Sequence, residues 1–329
     1  MISDKAHCLF LADGALATDL TEGRVREIIA SGKGLLWYRV MEDDEVSHHN
    51  LSEIFGFHPL AIEDCFNGRV DTPKIDDYGD YLFMVTQSVQ FSQDTALLNL
   101  SELDLFLGKN YVVTVEAKQK MPLVDKLYQD AMANPHVLER GADFLAHTIM
   151  DVMIDQLLPA VEGMDEDLDS LEQHILERPH RDQLLQVLSL KRQTLMLRRS
   201  ILPQRDIVNR LSRGEFPGLI HAEALIFFRD IYDHIVRVES ILDGLRDLAD
   251  GALSSYLSAI NNRMNEIMKA MSVVAVIFLP LTLIASIFGT NFNYSPFGLT
   301  FGGGFYLMLL SMVVITVGMV VFFRKRGWF

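Results

Sequence analysis

AMSVVAVIFLPLTLIASIF, Ala270–Phe288, contains no charged residue and no histidine. A helix that crosses a bilayer needs about 20 mostly apolar residues, so this stretch predicts a membrane span. FYLMLLSMVVITVGMVVFF, Phe305–Phe323, meets the same requirement. Between them GTNFNYSPFGLTFGGG is rich in Gly, Asn, Ser and Pro, the residues of turns and loops. The two spans therefore predict a hairpin. RKRGWF follows, and Arg324, Lys325 and Arg326 read as a cytoplasmic anchor under the positive-inside rule, with Trp328 and Phe329 suited to the interface. Two crossings would return the chain to its starting side. The N-terminal part and the tail are both expected in the cytoplasm, and the loop outside. The alternative is a buried hairpin in a large soluble protein, and two charge-free runs of this length argue against it.

The rest of the chain is different in kind. All the Asp and Glu, 44 residues, precede Ala270, and the formal net charge of the 329-residue chain is -15. That balance argues against nucleic acid, whose binders carry basic patches, and suits cations. Cys8 and Cys65 have no CxxC spacing and predict small buried apolar residues in a reducing compartment. MISDKAHCLFLADG has no basic region ahead of an apolar run, so no signal peptide is expected. No phosphate loop or nucleophile motif points to an enzyme.

Residues 1–140 predict an α/β head. GLLWYRV (Gly34–Val40), YLFMVTQSVQF (Tyr81–Phe91), ELDLFLG (Glu102–Gly108) and YVVTVEA (Tyr111–Ala117) are β-branched or aromatic runs that read as strands, the last two joined by a hairpin turn at GKN. NLSEIFGF and HPLAIEDCFN read as short helices. Residues 141–269 are helical in period, with breaks at ERPHRD and SRGEFPGL. One helix is expected over Met150–Leu176 and another over Arg181–Leu211. From Ala222 the period runs without proline to Pro280, into the first span. A rod of that length, about 100 Å at 1.5 Å per residue, needs neighbours. The remaining divisions are a first membrane helix at 270–290, an outer loop at 291–304, a second helix at 305–323 and a basic tail at 324–329.

Polar groups inside a bilayer face other helices or water. Asn265, Met268, Met271, Ala275, Leu279, Thr282, Ser286 and Asn291 follow one another at near-helical steps. This stripe has amides at both ends, hydroxyls toward the outside and mostly bulky apolar groups between, as a pore with a hydrophobic constriction would. Small and hydroxyl side chains also serve plain helix packing in membranes. Two helices cannot enclose a water path, so a conducting form must be an oligomer. Neutral amides can hydrogen-bond a hydrated ion without stripping it, which suits Mg2+, an ion that sheds water reluctantly. The span offers no carboxylate, His or Cys for tight chelation. Asp165, Glu166, Asp167 and Asp169 read as a solvated helix face, with attraction of cations as the alternative. His58 lies near Asp64 and Cys65 in sequence and is noted for zinc.

At these residues the chain resembles the CorA family of divalent cation channels over nearly its whole length. FGTN followed by an aromatic resembles the family's aromatic-Gly-Met-Asn signature. NEIMKAMSVVAVIFLPLTLIASIFG resembles its stalk-to-pore segment, FRDIYDH its stalk, HPLAIED and PKIDDYGDYLF its head, and RKRGWF its tail. The resemblance implies an α+β cytoplasmic head (α/β/α), a long helical stalk and a two-helix transmembrane hairpin, assembled as a homopentameric funnel in a bacterial or archaeal inner membrane. It implies a selectivity filter at Gly289, Thr290 and Asn291, with the asparagine ring meeting hydrated Mg2+. The gate falls on Met268, Met271 and Leu279. It further implies a regulatory site in which cytoplasmic Mg2+ bridges Asp64 and Asp230 of neighbouring subunits and holds the channel closed.

Two departures bear on the ion. Thr290 stands at the signature methionine, and SPFGL (Ser295–Leu299) lacks the acidic residue of the family's outer loop. The zinc-transporting ZntB branch has a β-branched residue before the asparagine and no acidic loop. The first expectation is a channel for Mg2+, with Co2+ or Ni2+ as further ions. A Zn2+ transporter of the same fold, coupled to protons, is the second. The third is a non-conducting membrane scaffold or sensor.

Overall fold

The structure is a computed structural model that describes residues 7–91, 98–289 and 301–328. Asn291, Thr290 and Asn293 lie outside the described residues. The chain divides into two compact units. The first holds Met1–Gln173 and Arg181–Ala252, the second His174–His180 and Leu253–Phe329.

The first unit opens with β1 (His7–Ala12), β2 (Ala15–Ala17), α1 (Glu22–Ser31) and β3 (Leu35–Val40). Next come α2 (Glu45–His49), a π-helical turn at Asn50–Ile54, α3 (Pro59–Phe66), β4 (Lys74–Asp77), β5 (Tyr81–Phe91), β6 (Leu98–Gly108) and β7 (Tyr111–Val115). The strands form one sheet in the order β2-β1-β3-β7-β6-β5-β4. Among the described strands only β3 and β7 pair in parallel, from Leu36↔Tyr111 to Val40↔Val115. The β6–β7 turn needs Gly108, because a Cβ there would stand 2.2 Å from the Tyr111 ring.

Alternation splits the sheet residues between two faces. Phe83, Val85, Phe106, Tyr111 and Val113 bury one face beneath Val25 and Ile28 of α1 and Ala61, Ile62 and Cys65 of α3. The other face meets α4 (Pro122–Ala133), whose Tyr128 ring stands edge-on to Trp37, and α5 (Ala142–Asp155), which lies against β5, β6 and β7. This is the expected α/β/α head.

The sequence predicts one helix over Met150–Leu176, but the structure has two, α5 and α6 (Leu157–Glu177). Pro159 accounts for the break: its ring crowds the carbonyl four residues back, at Asp155. The α5–α6 stretch is apolar enough to cross a membrane, but 56% of its most apolar window is buried, so it is a core element. α7 (Arg181–Ser212) precedes α8 (Leu225–Phe288), a helix of 64 residues. In the first unit α8 buries Phe228, Ile231, Ile235, Val238, Leu242, Leu245, Ala249 and Ala252. Steps of three and four in strict alternation make a seam of the coiled-coil type. Ion pairs Arg205–Glu239 at 2.9 Å and Arg198–Asp243 at 3.1 Å flank it on α7.

The second unit contains the rest of α8 and α9 (Phe301–Lys325), and both are long and apolar enough to cross a membrane. Lys269 Nζ of α8 donates to the Gly327 carbonyl at 3.1 Å and stands 5.3 Å from the Trp328 ring.

Candidate cation path and control residues

On α8 the side marked by Lys269 also carries buried Val273 and half-buried Ile277, Pro280, Leu281 and Ile284. At 100° per residue these share one face. Asn265, Met268, Met271, Ala275, Leu279, Thr282 and Ser286 centre on the opposite face, and every one is exposed. Met271 and Leu279 are each 70% exposed. Thr282 donates its hydroxyl to the Phe278 carbonyl at 2.9 Å, which leaves the oxygen's lone pairs free to accept. On α9 Ser311 and Thr316 spend their hydroxyl protons inside the helix, on Met308 and Met312 at 2.8 Å each. Gly289 closes α8 with its N–H on the Ala285 carbonyl at 2.9 Å, and an added Cβ would lie 3.1 Å from that oxygen.

In the first unit, Asp64 sits in the last turn of α3. Its Oδ2 accepts from Lys74 Nζ at 2.6 Å, and the same ammonium reaches Asp76 Oδ2 at 3.0 Å. Asp230 is exposed on α8. Among the described residues no hydrogen bond or ion pair joins Asp64 to Asp230 within one chain. His58 and Cys65 do not join Asp64. His58 caps α3, its Nδ1 accepting from Leu60 N at 3.2 Å, and Cys65 is buried with its thiol on the Ala61 carbonyl. Both cysteines are buried and unpaired, as small core residues. Glu166, Asp167 and Asp169 are exposed on α6 and Asp165 is half-buried there.

One cluster was not singled out in the sequence. Asp151, Asp155 and His234 each place a ligand atom within 4.8 Å of the others. Burial, and then the Asp155 charge, push the Asp151 carboxyl above its usual range. Burial lowers the neighbouring His147 imidazole, and Asp151 and Asp230 partly offset that. The signal was present as two i, i+4 pairs, Asp151 with Asp155 and Asp230 with His234, but nothing in the sequence says that α5 and α8 face each other there.

Deeper in the head, Lys118 Nζ meets Glu102 at 2.5 Å and Asp71 at 3.5 Å. Asp104, on the same face of β6, is 2% exposed, and its Oδ1 has no hydrogen-bond partner among the described residues. Burial, and then the Glu102 charge, drive its carboxyl far above the usual range.

Comparisons with known proteins place this arrangement. A family profile described as CorA-like Mg2+ transporter protein matches residues 32–325. The cobalt/magnesium transport protein CorA of Thermotoga maritima is 34% identical over 279 residues, 84% of this chain and 78% of that protein. The zinc transport protein ZntB of Yersinia enterocolitica is 25% identical over 278 residues, 82% of this chain and 81% of that protein. In fold, the complete structure of the CorA magnesium transporter from Methanocaldococcus jannaschii superposes with a TM-score of 0.84 at 22% identity, covering 100% of both chains. The match over most of the chain, together with the mixed head, the long helix and the two apolar helices, settles the assignment: this chain belongs to the CorA family of divalent metal cation transporters, which are membrane proteins and not enzymes.

Proposed function

We propose that the chain forms a homopentamer in a plasma membrane, with both termini cytoplasmic, and conducts hydrated Mg2+, with Co2+ or Ni2+ as further ions. The observation that carries this reading is the exposed stripe of α8 opposite its Lys269–Ile284 side. Five such stripes around an axis would line a water path with amides, hydroxyls and an apolar constriction at Met271 and Leu279. Asn291 forms the outer ring, flanked by Gly289 and Thr290. Inside the cell, Mg2+ between Asp64 of one subunit and Asp230 of the next holds the pentamer closed. Loss of the ion leaves two carboxylates that repel and loosen the contact. Support for an intersubunit site is that Asp230 is exposed and that Asp64 and Asp230 have no bond within one chain.

The test is uptake into proteoliposomes with Mg2+ and Zn2+ side by side, for the native chain and Asn291→Ala. Mg2+ flux that Asn291→Ala abolishes or renders unselective is the expected result. A second reading, a Zn2+ transporter coupled to protons, is favoured by Thr290 and by the neutral loop Ser295–Leu299. Zn2+ flux that follows an imposed pH gradient, without Mg2+ flux, selects it. No flux of either ion from intact pentamers refutes both and leaves a membrane sensor or scaffold.

A further inference from the structure

We propose that Lys74 is a tethered competitor for the divalent cation at Asp64 and sets the Mg2+ concentration at which the control site fills. This rests on the reading of Asp64 as a regulatory ligand. Lys74 and Asp76 are alternate residues of β4, paired with Val85 and Phe83 of β5, so both side chains leave the sheet on the side that α3 covers. There the Lys74 ammonium lies 2.6 Å from Asp64 Oδ2, 3.0 Å from Asp76 Oδ2 and 5.4 Å from the centre of the Phe83 ring. The carboxylate that the divalent ion must use is already holding a cation, and that cation comes from the same chain.

Two positive charges on one carboxylate repel, so the ammonium and the metal exclude each other. An arriving Mg2+ must displace Lys74 from Oδ2. Asp76 stands ready to receive the displaced ammonium, so the lysine keeps a partner throughout the exchange. A fixed local cation weakens the site for every divalent ion. It thereby shifts the response toward higher free Mg2+ without altering the ligands themselves.

The experiment uses the full chain in detergent, stripped with EDTA and titrated with MgCl2, with Mg2+-dependent thermal stabilisation as the readout. Lys74→Gln is expected to lower the Mg2+ midpoint by about three- to fivefold, the weight of one partly exposed ion pair. Lys74→Arg, which keeps the charge and grips the carboxylate with a fork, is expected to leave the midpoint where it is or raise it. In an Asp64→Asn background, Lys74→Gln is expected to change nothing. If Lys74→Gln leaves the midpoint unchanged or raises it while Asp64→Asn still shifts it, the competitor role is wrong and the Asp64 site stands. If Asp64→Asn itself leaves the midpoint unchanged, the site reading fails and the inference with it. Melting temperatures of the variants without Mg2+ separate either result from a damaged fold.

Discussion

Glu116 should make the head less stable as pH rises from mildly acidic to neutral. Arg39 of β3 is 2% exposed and Glu116, just past β7, is 3% exposed. Arg39 Nε reaches Glu116 Oε1 at 2.8 Å, and Arg39 Nη2 reaches Asp125 Oδ1 of α4 at 2.7 Å. One guanidinium thus faces two carboxylates. Asp125 is 40% exposed and is solvated, whereas Glu116 is not. Burial therefore outweighs Arg39 and raises the Glu116 carboxyl from 4.5 to about 7. The sign follows from the protons bound. Between those two values the unfolded chain has lost the Glu116 proton and the folded chain keeps it, so stability falls with pH. The contribution is fully present below 4.5 and is gone once pH has passed through about 7. At 1.36 kcal/mol per unit the full loss is about 3 kcal/mol.

Glu116→Gln keeps the shape and removes the titration. Urea unfolding of the full chain can be followed by emission of Trp37, which is fully buried next to Arg39, in a Trp328→Phe background. The difference in stability between Glu116→Gln and the parent should move by about 2.5 kcal/mol in favour of the variant from pH 5 to pH 8. Asp125→Asn gives Arg39 wholly to Glu116 and should flatten the parent's own slope. A difference that stays constant across this range would show that Glu116 is ionised when folded, and the charge argument would be refuted.

Two further outcomes are expected. Asp230→Asn should raise the internal Mg2+ needed to halve flux by about tenfold, within the usual range of coupling between sites, and a proteoliposome series with graded internal Mg2+ reads it. Gly108→Ala forces a Cβ against the Tyr111 ring in a tight hairpin and should destabilise the head by about 1–3 kcal/mol in urea unfolding, with Tyr111→Ala in the same chain recovering part of the loss.

The parts of the fold that were legible in the sequence are those with a strong local signature. The two apolar helices announce themselves by length without charge, and β3, β5 and β7 by β-branched and aromatic runs. β4 was missed because KIDD is a charged edge strand, with no apolar alternation to read. The Asn50–Ile54 turn reads as an ordinary short helix, since a single wide turn leaves the apolar spacing almost unchanged. The candidate site residues divide in the same way. HPLAIED marks Asp64, but its partner Lys74 lies ten residues on, past a bend that only the sheet brings back. Asp151 and His234 are separated by α6 and α7, and their meeting is a product of packing.

The distribution of charge has a physical consequence for a cation transporter. In the proposed path the side chains are amides, hydroxyls, thioethers and hydrocarbon, which hold a hydrated divalent ion weakly and let it leave. Carboxylates, which hold such ions more strongly, are confined to the residues before Ala270. At the proposed control site strong binding costs nothing in throughput, because a control ion would have to stay rather than pass. On this division a carboxylate introduced on the α8 stripe, as in Thr282→Asp, would slow Mg2+ passage by holding it. A carboxylate removed from the proposed control site, at Asp64 of the head or Asp230 of α8, would leave passage intact and weaken closure. Dependence on internal Mg2+ separates the two: the slowing by Thr282→Asp should persist at low internal Mg2+, whereas the effect of losing Asp64 or Asp230 should appear only when internal Mg2+ is high.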